Sequence, residues 1–386
     1  MQKSELQMLR TSERAGFKKC PWAWERAYVD GLQPTQGNLG ALWFGTGIHL
    51  ALAEWYIPGD VRGTNPVETW AKYCDDEYKT VKSIRDDGEA EWIDAKKLGI
   101  AMLEGYLAEY GEDDDWDIIA PEQRFSAVIP HPKTGEPIVN YVGTFDGVLR
   151  QKSTGYLYLM DHKTAGVIKT NHLFNDEQAG SYLTVAEHSL REQGLIGKKE
   201  KIRGILYNFL RKTIPTDDRP KNPDGLYTNK PNKVHYITQF TEVFGDTVDV
   251  ESGLEWSKLS LAKLQAIAEE EDITVYGEVS KNQGSPVFHR EIVRRTKAEK
   301  KRMVKRIGEE AIVMGMARDG SLPILKSPGE HCSWCQFKDL CAVDEQAGDT
   351  EDFIKYTYKV VDPYLDHRDG AENSKTSLAN NKKAGV

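Results

Sequence analysis

Two stretches decide how this chain reads: Gly143-Thr-Phe-Asp146-Gly-Val-Leu-Arg150 and, after a polar turn at 152–155, Tyr156-Leu-Tyr-Leu-Met-Asp161-His-Lys163-Thr. The second run is aromatic and aliphatic and bounded by glycine-containing turn residues, which predicts a strand and, with the first run, a hairpin. Side chains two apart on a strand share a face, so Asp161 and Lys163 project together and His162 points away. Leu157 and Leu159 share the Asp161 face, and Tyr156, Tyr158 and Met160 the other. A strand apolar on both faces belongs inside a covered sheet. Its Asp-His-Lys ending then puts charges at the edge of a core, where they need partners or a metal.

The residue types match a definite chemistry. Phosphodiester hydrolysis uses a hard divalent cation that neutralises charge on the phosphorus oxygens and lowers the pKa of an attacking water. Magnesium takes one or two carboxylates plus water and substrate phosphate, and Asp146 and Asp161 can supply them from adjacent strands. Lys163 adds a point charge able to orient the water or stabilise developing negative charge. Alone, however, a D-x-K triplet reads as a salt bridge at a strand end.

Other residues stand in order around it. His49 lies in Gly45-Thr-Gly-Ile-His49-Leu-Ala-Leu-Ala-Glu-Trp-Tyr, Asp146 closes a G-x-x-D, and Gln178-Ala-Gly-Ser-Tyr182 follows the D-x-K. Gln178 and Tyr182 are four apart and share one face of a helix, for which Asn175 and Asp176 are N-cap candidates. Cys20 stands near the N-terminus, and Cys332-Ser-Trp-Cys335-Gln-Phe-Lys-Asp-Leu-Cys341 near the C-terminus. Four thiolates can hold a [4Fe–4S] cluster or a structural zinc. Disulfides are the weaker reading without a secretory signal, and Cys74 is most simply a free thiol.

Together these motifs resemble the PD-(D/E)XK nuclease superfamily, in its RecB-like branch with the CRISPR-adaptation nucleases and phage exonucleases. The resemblance implies an α/β fold with a restriction-endonuclease-like central mixed sheet flanked by helices, a helical N-terminal region and a C-terminal cysteine cluster. It implies Mg²⁺ or Mn²⁺ held by His49, Asp146 and Asp161, with the His162 carbonyl as an extra donor. Lys163 would act on the water, and Gln178 and Tyr182 would hold the DNA strand. Glu122, on the strand ahead of the hairpin, is left open as an additional metal-site residue. For Cys20, Cys332, Cys335 and Cys341 the resemblance favours [4Fe–4S] over zinc. Two departures stand out: no proline precedes Asp146, and the third-motif acid is Asp rather than Glu.

The implied function is a metal-dependent DNA exonuclease that processes ends for recombination or repair. Its setting would be a phage, beside a recombinase or single-strand annealing protein, and an oligomer is compatible with that role. A CRISPR-adaptation-like nuclease acting within a complex and a non-catalytic DNA-end-binding module are the alternatives. The chain has 386 residues and carries no G-x-x-x-x-G-K-[ST] phosphate loop, so it holds no ATP motor beside the nuclease. No apolar run approaches the roughly 20 residues that span a bilayer, and the expected location is a bacterial or phage-infected cytoplasm.

Net charge is −9, so phosphate contacts must come from local patches. Residues 290–306 carry nine basic side chains against two glutamates and read as a phosphate-tracking surface. The acidic run 112–117 reads as a solvated loop. The expected organisation is a nuclease domain over 1–345, closed by the cysteines, and a polar, flexible tail over 346–386. Substrate selection is expected within 213–285, which matches no motif.

Overall fold

The computed structural model describes residues 6–35, 41–82, 88–214, 220–249, 254–281, 283 and 286–368. The chain divides into two compact units, residues 1–214 with 287–386, and residues 215–286.

In the first unit the N-terminal part is mostly helical, as expected. It holds β1 (Met8–Leu9), α1 (Thr11–Lys19), α2 (Pro21–Trp24), β2 (Leu32–Pro34), α3 (Ala41–Trp55), α4 (Pro66–Lys82) and α5 (Gly88–Tyr110). Three strands follow: β3 (Trp116–Pro130), β4 (Pro137–Gln151) and β5 (Leu157–Ala165). Next come α6 (Glu177–Glu192) and β6 (Ile202–Arg211). The second unit is a small module of α7 (Lys233–Phe244), β7 (Thr247–Asp249), β8 (Leu254–Glu255) and α8 (Leu261–Glu270), closed around Tyr236, Phe240, Trp256 and Leu264. The first unit then resumes with β9 (Phe288–Val293), α9 (Lys297–Arg318), α10 (Lys338–Glu345), α11 (Thr350–Thr357) and β10 (Tyr358–Val360).

The central sheet runs β1-β4-β5-β6-β9, with β3 also paired to β4. It is mixed: β5 and β6 are parallel, while β3–β4, β4–β5 and β6–β9 are antiparallel. A covered sheet explains why β5 is apolar on both faces. Leu157 and Leu159 enter a core with Leu183, Leu190, Met303 and Ile307 of α6 and α9. Tyr158 and Met160 enter the opposite core, against Phe44, Ile48, Leu52 and Trp55 of α3 and Met102 and Tyr106 of α5. The α3 residues recur at helical spacing, so one stripe of that helix docks on the sheet. This mixed α/β architecture with helices on both faces is the restriction-endonuclease-like arrangement the motifs implied.

The region from residue 346 needs correcting. Instead of a tail, α11 follows α10 and β10 pairs antiparallel with β2 over Leu32 to Pro34. Tyr358 packs with Leu32, Phe337 and Leu340, so polar composition concealed a segment held by backbone pairing and one aromatic. Residues 369–386 lie outside the described residues.

Candidate active site

Three strands align three carboxylates. The β3–β4 pairs Pro121–Gly147 and Gln123–Phe145 bracket Glu122 opposite Asp146. The β4–β5 pair Gly147–Met160 makes Asp146 and Asp161 the next opposed positions. The strands bend here. Phe145 and Val148, an odd number apart, both face the α6 side, so β4 changes face between them. Glu122 adopts a left-handed φ of 42°, a conformation that costs a non-glycine residue on the order of 1–3 kcal/mol and that concentrates at functional sites.

Gly143 of the G-x-x-D motif has a packing reason: a Cβ there would lie 2.5 Å from the Phe125 ring. That ring stacks on Phe145 at 4.5 Å, and Tyr182 meets both rings edge-on at 5.3 Å. The motif glycine therefore lets an aromatic cluster seat the residue beside Asp146.

From the other face α3 brings His49, whose Nδ1 lies 3.2 Å from Asp146 Oδ2. The same oxygen accepts a 2.7 Å hydrogen bond from the His162 backbone N–H, tying the first carboxylate to the D-x-K segment. His49, Glu122 and Asp146 each offer a ligand atom within 4.8 Å of the others, the only such group among the described residues. Two carboxylates and an imidazole suit a divalent ion, and the imidazole favours manganese over magnesium, which prefers oxygen throughout.

Asp161 stands beside this group in its own network. Its Oδ2 is 2.6 Å from Lys163 Nζ, and its Oδ1 accepts from Gln178 Nε2 at 2.8 Å. Gln178 Oε1 accepts from Lys163 Nζ at 2.8 Å, closing a triangle. Burial pushes the Asp161 carboxyl up to about 6, with Lys163 opposing and Asp146 adding to the rise. Burial works against the Lys163 charge too, but Asp161 holds its pKa above the ordinary value. Lys163 thus remains a cation, and a neighbouring divalent ion would favour ionised Asp161.

Gln178 reaches this position because α6 starts beside it. Asp176 is the N-cap, accepting from Ala179 N–H at 2.7 Å and from the Tyr207 hydroxyl at 2.6 Å. Sequence reasoning expected Gln178 to reach a substrate groove, whereas the structure places its amide between Asp161 and Lys163. Tyr182 sits in the aromatic cluster, its hydroxyl pKa raised far above normal by burial, so it stays protonated. Gln178→Leu is expected to lower metal affinity or cleavage by roughly 10–100-fold, because orienting partners of metal-site residues carry that much. Metal titrations of folded variant and wild type check it.

The His162 side chain points away, as predicted, into a buried network that sequence reasoning missed. Arg290 Nε donates to Asn208 Oδ1 at 3.2 Å, which fixes the amide so that Asn208 Nδ2 faces His162 Nδ1 at 2.8 Å and Tyr106 at 2.8 Å. His162 Nδ1 is therefore an acceptor. Arg290 also forms a two-pronged pair with Asp113, at 2.8 and 2.7 Å. Two expectations are corrected here. Arg290 is no phosphate contact, and Asp113 in the acidic run is no solvated loop residue. Farther along the basic run, Lys300 pairs with Glu187 and Arg306 with Glu177, while Arg294, Lys297, Lys301 and Arg302 remain exposed.

The chain ends meet away from this site. Cys20 follows α1, Cys332 lies within a helical turn over Glu330–Trp334 and Cys335 caps its end, and Cys341 lies in α10. Trp22, Cys335, Phe337 and Leu340 share one small core, and Trp22 N–H donates to Leu325 O at 3.1 Å. None of the five cysteines is joined in a disulfide. Cys74 is buried and its pKa is pushed up to about 12 by desolvation, which leaves it inert.

Among the described residues, no helix is long and apolar enough to cross a membrane. No curated protein matches the chain. A sequence model of the PD-(D/E)XK nuclease superfamily matches residues 11–342, a span that carries His49, both strands of the D…D-x-K pair, Gln178 and the cysteine triplet. The chain belongs to the PD-(D/E)XK nuclease superfamily, whose chemistry is metal-dependent phosphodiester hydrolysis.

Proposed function

We propose that this protein is a DNA exonuclease of the RecB-like branch, processing DNA ends for recombination or repair. The observation that carries the reading is the junction of the His49–Glu122–Asp146 group with the Asp161–Lys163–Gln178 triangle. His49, Asp146 and Asp161 would hold Mn²⁺ or Mg²⁺, joined by Glu122, with the His162 carbonyl as a further oxygen donor. A bound ion neutralises charge on the phosphate and lowers the pKa of the attacking water. Lys163 orients that water and stabilises negative charge on the phosphorus oxygens. Gln178 holds Lys163 and Asp161 at fixed separation, and Tyr182 supports the strand that carries Asp146. A phage recombination setting, beside a recombinase or single-strand annealing protein, is the context proposed for this nuclease.

Degradation of end-labelled linear DNA, single- and double-stranded, with Mn²⁺ or Mg²⁺ tests this. Metal-dependent loss of DNA that Asp161→Ala and Lys163→Ala both abolish is the expected result. Intact DNA with retained binding would instead support an end-binding module or an enzyme that needs partners, as a CRISPR-adaptation-like nuclease would.

The cysteines belong to the same proposal. Cys20, Cys332, Cys335 and Cys341 would carry a [4Fe–4S] cluster that staples the two chain ends. Anaerobically purified protein should absorb near about 400 nm. Colourless protein with stoichiometric zinc would reverse the assignment.

A further inference from the structure

The middle residue of the D-x-K triplet contributes more to the site than its main chain. On β5 the His162 side chain faces away from Asp161 and Lys163, toward α3, and it is buried. α3 carries His49, and its hydrogen bonding runs on through the Tyr56 N–H, which donates to Leu52 O at 2.9 Å. His49 and Tyr56 are seven apart, two turns of helix, so both lie on the stripe that docks on the sheet. The His162 ring meets both. It lies nearly parallel to the Tyr56 ring, at 19° and 6.0 Å between centroids, and meets the His49 ring edge-on, at 82° and 5.8 Å. Its own surroundings are fixed: Asn208 Nδ2 is 2.8 Å from His162 Nδ1, and the Tyr56 hydroxyl is tied to Tyr106 at 2.6 Å and Asp113 at 2.7 Å. His162 thus touches two members of the His49–Glu122–Asp146 group, Asp146 through its backbone N–H and His49 through its ring.

We infer that His162 is a positioning residue for the metal site: its ring is the wall that orients the His49 imidazole, and Tyr56 and Asn208 hold that wall in place. The inference rests on the nuclease reading above, in which His49 is a metal ligand. A metal–nitrogen bond needs the imidazole plane in one orientation, yet the outer torsion of a histidine side chain is broad. Ordering such a side chain only when the ion arrives would subtract its lost rotamer freedom from the affinity. The His162 edge against the His49 ring restricts that torsion, so the ligand is ordered on folding rather than on metal binding. Asn208 and the Tyr56 ring hold His162 from its far side, which makes the restriction firm. The triplet's middle residue therefore acts on one ligand by its main chain and on another by its side chain.

Calorimetric titration of Mn²⁺ and Mg²⁺ into the full chain, without DNA, tests the assignment apart from cleavage. His162→Leu fills the space without a flat ring, and His162→Phe restores a ring without the Nδ1 acceptor. His162→Leu should weaken Mn²⁺ binding by roughly 10–100-fold, the usual share of an orienting partner, and His162→Phe should recover most of that. A misaligned imidazole removes a nitrogen ligand, which Mn²⁺ accepts more readily than Mg²⁺, so Mg²⁺ affinity should fall less. Equal losses for the two ions would mean a general loosening of the site and overturn the assignment. In a His49→Ala background the ligand is already gone, and His162→Leu should weaken Mn²⁺ no further. Losses that add in full, or unchanged Mn²⁺ affinity in His162→Leu, overturn it as well. A second measurement uses wild type alone and stands even if the variants fail to fold. In histidine-labelled protein, nuclear Overhauser contacts between the His49 and His162 rings should be present without metal and persist with Mg²⁺, and their absence from the metal-free protein overturns the proposal. Wild type that binds neither ion overturns it together with the nuclease reading. Metal binding with the expected losses but no DNA cleavage removes the exonuclease reading and supports this one.

Discussion

Asp146→Ala is expected to lower Mn²⁺-supported DNA cleavage by on the order of 10³-fold while leaving the metal-free protein as stable as wild type or slightly more stable. The loss of activity follows from what converges on one oxygen. Asp146 Oδ2 faces His49 Nδ1 and accepts the His162 backbone N–H, so its removal strips a ligand and unpins the D-x-K segment. Forfeiting even part of the charge stabilisation that a divalent ion provides costs several kcal/mol of barrier, which is the stated fold-change. The stability sign is opposite because Glu122, Asp146 and Asp161 occupy opposed positions on adjacent strands, and Asp146 is one cause of the raised Asp161 pKa. Removing one like charge relieves the other two, the usual trade between stability and activity at a site. Thermal melts with and without Mn²⁺ separate the effects. The ion should raise the midpoint of wild type, since it binds only the folded state, and should not raise that of the variant. A variant that keeps the Mn²⁺ shift would show that the ion sits elsewhere.

Much of this site was legible in the sequence because its parts are local and periodic. Period-two alternation placed Asp161 and Lys163 on one face and His162 on the other, and the apolar character of both faces of β5 announced a covered sheet. Asp176 could be read as an N-cap because Asp before a helical run satisfies an orphan N–H. Glu122 left only a faint signal, a lone acid inside a strand-like run, and its left-handed backbone has no sequence mark in a glutamate. Gln178 was found, but its contacts with Asp161 and Lys163 were not, since helical spacing says which residues share a face and not what that face meets. The acidic run 112–117 and the basic run 290–306 were the hardest to read. Their composition looks the same whether solvated or buried, and the two segments meet only through long-range packing.

That meeting gives the second large effect. Arg290→Ala is expected to destabilise the first unit by about 3–5 kcal/mol, because it leaves the Asp113 carboxylate buried without its cation. At a few degrees per kcal/mol for a domain of this size, the melting midpoint should fall by on the order of 10 °C. The guanidinium also donates to Tyr56 and Tyr106 and fixes the Asn208 amide, so three further polar groups lose a partner. Asn208 in turn holds His162, whose backbone N–H anchors Asp146, and metal affinity should therefore weaken along with stability. Were Arg290 a phosphate contact, as its place in a basic run implies, the substitution would weaken DNA binding and leave the midpoint alone. The exposed neighbour Arg302 supplies the contrast, since its replacement by alanine should shift stability by no more than about 0.5 kcal/mol. The double change Asp113→Asn with Arg290→Met should melt higher than Arg290→Ala alone, because an unpaired buried charge costs more than a missing pair. An equal loss in the single and double variants would mean that packing of the guanidinium over the Tyr110 ring, 3.7 Å away, and not charge, carries the stability, and that ordering is the measurement that separates the two.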